Sequence, residues 1–177
     1  TDLAKDAYLE LIRSDDGGAR YQAAHRAAEL LFRSQAYGQA AELIASIDRR
    51  YAKDLETRDE LELMTLKAKV ARAQGREKEG AALLEKIVTR DGTRGDALLE
   101  LARYHRDQGN DQKALLLLER ASNLEAYEYD ALVEQAQFRV ASKQYDEAAN
   151  LLRQALRIRS EPRVERFLAR VEQATRR

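Results

Sequence analysis

The chain has 177 residues, with 31 Lys plus Arg against 31 Asp plus Glu, so its formal net charge is zero. That balance argues against non-specific binding of nucleic acid or of an anionic membrane surface, since each calls for a positive excess. It has no cysteine, which excludes disulfides, a thiolate nucleophile and zinc sites of the Cys type.

One Pro and 8 Gly in a chain rich in Ala, Leu, Glu and Arg favour helix throughout. The first predicted element, Asp2–Arg13, puts Ala4, Tyr8, Leu11 and Ile12 on one helical face. Its charges are spread along its length, unlike the apolar core of a signal peptide. The loop Asp15-Asp16-Gly17-Gly18 follows. From there a signal recurs, a small residue, two arbitrary positions and a pair of bulky aliphatics. It occurs as Ala40…Leu43-Ile44, Gly80…Leu83-Leu84, Ala114…Leu117-Leu118 and Ala148…Leu151-Leu152. The small residues step by 40 and then by 34 and 34. A period near 34 predicts stacked helical hairpins, because one thin hairpin cannot bury its apolar face alone.

Aligning the doublets predicts helix A over 21–34, 60–74, 95–108 and 129–142, and helix B over 37–52, 77–90, 111–125 and 145–159. Gly75 and Gly109 suit a left-handed residue closing helix A, and Lys143 stands in the equivalent place without glycine's freedom. Ala28, Ala68, Ala102 and Ala136 oppose Ala40, Gly80, Ala114 and Ala148, so each A–B pair is expected to cross closely. The six extra residues of the first step are placed around Tyr51–Arg58, in helix B or the loop after it. After Pro162, the stripe Val164, Phe167, Leu168 and Val171, flanked by Arg163, Glu165, Arg166, Arg170 and Glu172, predicts a capping helix. The expected organisation is a half repeat of helix B alone (1–18), four repeats (19–58, 59–94, 95–128, 129–160) and a cap (161–177). No apolar run is long enough to cross a bilayer.

These residues resemble the tetratricopeptide repeat (TPR), whose pattern wants small residues at the eighth and twentieth places and a large apolar one at the twenty-fourth. The stretches Lys143-Gln144-Tyr145-Asp146-Glu147-Ala148 and Gln108-Gly109-Asn110 are close to that family's turn. The repeats are degenerate. Ala24, Met64, Leu98 and Leu132 replace the aromatic fourth residue, and Ala52, Gly92, Ala126 and Ser160 replace the terminal proline. The resemblance implies an all-α, right-handed superhelical solenoid of antiparallel hairpins.

It also implies that a partner lies along the face built by the A helices. The groove residues it points to are Phe32, Arg33, Leu66, Lys69, Arg72, Leu99, Arg103, Arg106, Val133 and Gln137, with Gln22, His25, Glu29 and Glu62 among the other groove-facing places. The carboxylate clamp of some family members is not matched, because acidic residues such as Glu29, Asp96 and Glu100 occupy its places. Lys69, Arg72, Arg103 and Arg106 lie near A-helix C-termini. They form either a basic strip for an acidic peptide or a simple complement to the helix dipoles.

His25 and His105 are 80 residues apart on different repeats, with no second histidine at ligand spacing, so packing or surface roles are expected and no metal or cofactor. No phosphate loop, nucleophile elbow or His-Glu-x-x-His occurs. Arg94-Gly95-Asp96 reads as a turn between repeats. The reading is a non-catalytic protein–protein interaction scaffold, soluble and either cytoplasmic or bacterial periplasmic. Its partner is a protein or peptide, acidic if the strip is functional. The alternative is an architectural segment that self-associates through its N-terminal half repeat.

Overall fold

The computed structural model describes residues 19–51 and 53–175; the half repeat expected over Asp2–Arg13 lies outside them. The described residues are all-α, and their contacts divide the chain into two compact units that meet between Thr89 and Arg90.

The first unit holds α1 (Ala19–Arg33), α2 (Tyr37–Tyr51), α3 (Thr57–Ala73) and α4 (Glu77–Arg90). Short turns join α1 to α2 and α3 to α4, which makes each pair an antiparallel hairpin. The core gathers Tyr21, Ala24 and Leu31 of α1, Leu43, Ile44 and Ile47 of α2, and Leu63, Leu66 and Val70 of α3. The α2 doublet, Leu43 and Ile44, is buried there as its helical spacing predicts.

The second unit holds α5 (Gly95–Asp107), α6 (Asp111–Ser122), α7 (Glu128–Ala141), α8 (Tyr145–Ile158) and α9 (Pro162–Thr175). Tyr129, Leu132, Ala148 and Leu152 form a core that Val164 and Val171 of α9 close. Leu152 is fully buried, a placement worth about 1.5–3 kcal/mol for such a side chain. The helix predicted after Pro162 is present and packs on this core through Val164 and Val171.

Small residues do meet where hairpin helices cross. Ala28, Ala40, Ala68, Ala102, Ala114, Ala136 and Ala148 are all buried to within 1%. A methyl group built on Gly80 would lie 2.8 Å from the Ala68 carbonyl oxygen and 2.5 Å from Arg72 Cγ. The α3–α4 crossing therefore has no room for a β-carbon.

All four A–B turns close in the same way. The amides of Ala36, Arg76, Asn110 and Gln144 donate to the carbonyls of Leu31, Ala71, His105 and Arg139 at 2.8–2.9 Å. The preceding residue in each turn donates back to the carbonyl three residues earlier, which completes a Schellman motif. That motif needs a left-handed residue, and Gly75 (φ 79°) and Gly109 (φ 72°) supply it. Gln35 (φ 62°) and Lys143 (φ 58°) adopt it too, despite carrying a β-carbon.

The extra residues of the first step do not lengthen α2, which ends at Tyr51. Part of them forms the first turn of α3, a 17-residue helix that begins at Thr57. The Tyr21 hydroxyl donates to the Asp59 carbonyl at 2.8 Å and ties that turn to α1.

Candidate functional site

Residues of α5, α7 and α9 line a cleft of about 430 Å³ in the second unit. Arg103 comes from α5; Tyr129, Asp130, Val133, Glu134 and Gln137 come from α7. Glu161 and the α9 residues Arg163, Val164, Phe167 and Arg170 supply the opposite wall. Of the groove residues expected from the sequence, Arg103, Val133 and Gln137 are brought together here.

Charge in this cleft is organised around Glu134, whose side chain is only 12% exposed. Arg103 Nε donates to Glu134 Oε1 at 2.8 Å and Arg106 Nη1 donates to Oε2 at 2.9 Å. Arg103 also donates to Glu100 at 2.8 Å. Burial alone would lower the Arg103 pKa, but Glu134, Glu100 and Asp130 outweigh it and raise it above the ordinary guanidinium value. The basic strip expected at Arg103 and Arg106 is therefore neutralised within the second unit. Sequence spacing carried the signal: Glu134 lies 31 and 28 residues after these arginines, one repeat step less about one and two helical turns.

Next to this network, the Tyr129 hydroxyl donates to Glu161 Oε2 at 2.8 Å, and the Arg159 guanidinium lies 3.8 Å from the Tyr129 ring centroid. Burial and the bond to Glu161 push the Tyr129 phenol up.

In the first unit, a second, polar cleft of about 430 Å³ is lined by Tyr21, Gln22, His25, Arg26 and Glu29 of α1 and by Glu56, Arg58, Asp59 and Glu62 at the start of α3. His25 is buried and packs on Tyr21 with ring centroids 5.8 Å apart. His105 is buried beside Tyr104, with centroids 5.4 Å apart. Among the described residues no group of three or more His, Asp or Glu side chains is arranged to hold a metal ion.

Other expected groove residues sit elsewhere. Leu66 (5% exposed) and Leu99 (6% exposed) are packed inside their units rather than on a groove wall, because neighbouring helices cover those faces. Arg72 lies against Gly80 and donates to Glu77 at 3.0 Å. Phe32 packs on Tyr37 with centroids 5.6 Å apart, Arg33 is exposed in the last turn of α1, and Lys69 is half-buried. Arg94 closes onto Asp96 at 2.9 Å around a buried Gly95, so that tripeptide is the packed start of α5 and not a turn between repeats. On the helical pattern alone, Arg163 and Arg170 fall to the side of the Val164–Phe167–Leu168–Val171 stripe. Their i, i+7 spacing around Phe167 was the signal that they share one face.

No family model and no curated protein sequence matches the chain. Solved structures do. A candidate kinesin light chain of Podosopora anserina with nearly identical TPR-like repeats superposes with a TM-score of 0.72 at 24% identity, over 91% of this chain and 89% of that one. A point variant of that protein gives 0.70 at 25% identity, over 88% and 86%. The fold is that of TPR-like repeats. The C-terminal part of a TPR repeat-containing protein from Cytophaga hutchinsonii agrees, with a TM-score of 0.67 at 17% identity over 98% of this chain and 69% of that one. In TPR terms, the second-unit cleft is lined by two A helices and by α9, the helix that follows α8. Among the described residues no helix is long and apolar enough to cross a membrane.

Proposed function

We propose that the chain is a non-catalytic protein-interaction scaffold that seats a peptide or helix of a partner protein on its A-helix faces. The supporting observation is the second-unit cleft, where polar and apolar side chains of three helices converge on one open space whose floor is continuous with the core through Tyr129 and Val164. Val133, Gln137 and Phe167 offer an apolar floor with one amide, and charged groups rim it. This combination suits recognition of side chains from a partner segment. The TPR-like fold gives the same direction, since the hairpins supply rigid elements on which such a surface is held.

A photoreactive amino acid placed at Gln137 tests the reading, with Gln154 on the exposed face of α8 as control. Irradiation in cells is expected to give a discrete crosslinked protein from position 137 and none from 154. The same products from both positions would overturn a specific cleft.

A further inference from the structure

The acidic side chains of the second-unit cleft are all engaged within the protein. Glu134 is held by Arg103 and Arg106. Glu161 accepts from Tyr129 at 2.8 Å and from Arg159 at 3.3 Å, and Asp130 lies 3.7 Å from Arg159. Arg163 and Arg170 differ. Both are exposed on α9 and line the cleft, and neither has an acidic partner among the described residues. Phe167 lies between them in sequence at i, i+4, i+7 spacing, half-buried, with the Arg170 guanidinium 5.8 Å from its ring centroid. Of the three basic and three acidic side chains that line the cleft, Arg163 and Arg170 are therefore the two without an opposite charge in contact among the described residues, and they flank an apolar floor.

We propose that this cleft takes an acidic peptide segment, with carboxylates at Arg163 and Arg170 and an aliphatic or aromatic side chain over Val133 and Phe167. The inference rests on the scaffold reading above and names its ligand chemistry. Guanidinium groups match carboxylates through paired N–H donors, and unpaired ones avoid the cost of breaking an existing ion pair. For that reason α9, and not the Arg103–Arg106 pair held by Glu134, carries the recognition. A volume of about 430 Å³ admits a few side chains, which fits a short linear segment.

The test uses the full ¹⁵N-labelled chain and two synthetic peptides. One is a single Phe flanked by Asp and Glu; the other carries Lys at every acidic position. Amide shifts of Val133, Gln137 and residues 163–170 are expected to respond to the acidic peptide alone, more weakly at high salt. The double variant R163E/R170E is expected to weaken this binding by about tenfold or more while its circular dichroism stays unchanged. Equal response to both peptides, no response to either, or undiminished acidic-peptide binding by R163E/R170E would overturn the inference. If the Lys peptide alone shifts the cleft amides, the acidic ligand is refuted while the cleft as a binding site stands. Loss of the discrete crosslink from position 137 would remove the scaffold reading itself.

Discussion

Arg103 and Glu134 meet across adjacent A-type helices at 2.8 Å, and Arg106 takes the second oxygen of the same carboxylate. Removing that carboxylate leaves two half-buried cations side by side. The penalty lies between the about 0–1 kcal/mol of an exposed pair and the about 3–5 kcal/mol of a broken buried one. Glu134→Ala is therefore expected to cost roughly 1–3 kcal/mol in urea denaturation. The same variant leaves Arg103 bonded to Glu100, so binding of the acidic peptide at Arg163 and Arg170 should stay close to that of the parent chain. A variant as stable as the parent would show that the network adds nothing to the fold.

The left-handed turn residues give a prediction with opposite signs at equivalent places. Gln35 and Lys143 hold positive φ with a β-carbon, a conformation that costs roughly 1–2 kcal/mol relative to glycine. Glycine gives back about 0.5–1 kcal/mol in chain entropy. Gln35→Gly and Lys143→Gly should each stabilise by about 0.5–1 kcal/mol, and Gly75→Ala and Gly109→Ala should each destabilise by about 1 kcal/mol. Thermal midpoints of the four variants check this.

The helix crossings should punish added volume. Gly80→Ala gains about 1 kcal/mol of helix propensity, yet its methyl would sit 2.8 Å from the Ala68 carbonyl oxygen, which cannot swing aside as the Arg72 side chain can. A net loss of about 1 kcal/mol or more is expected. Ala148→Leu, at a position with no exposed surface, should cost roughly 1–3 kcal/mol. Denaturant midpoints at or above the parent value would mean that the crossings are looser than their distances indicate.

Tyr21 links the fold to alkaline pH. Burial pushes its phenol well above the usual value near 10, and Asp59, Glu62 and Glu29 add to the shift. Because the folded-state pKa is raised, this contribution is complete below about pH 10 and is lost as pH climbs toward the folded value. Tyr21→Phe removes the bond to the Asp59 carbonyl and should cost about 0.5–1.5 kcal/mol at neutral pH. The gap between parent and variant should narrow above pH 10, measurable by denaturation at pH 8 and pH 10.5. A gap that stays constant would place the shift elsewhere.

The period of 34 residues located the hairpins because burying one face of a hairpin on the next forces the small-then-bulky pattern to repeat with the structure. It placed the insertion around Tyr51–Arg58 but could not assign it to one element, since a helix turn and a loop of equal length look alike in spacing. The Tyr21–Asp59 bond favours the helix. Spacing also gives a residue's angle around a helix but not its depth, which is why Leu66 and Leu99 read as groove residues and are buried. Arg163 and Arg170 were visible as exposed charges on the predicted cap. Their place on a cleft wall follows from how α9 settles over α7 and α8, a relation that no single helix's pattern contains.

That arrangement has an experimental consequence. Val164 and Val171 cover the core from the same helix whose Arg163 and Arg170 face the cleft. A chain cut before Pro162 would shed its lid and its recognition wall in one stroke, and the bared Leu152 layer would invite aggregation. Truncation mapping would then report a binding region and a solubility defect at the same boundary. Surface charge reversals on α9 separate the two roles, because they leave both valines in place.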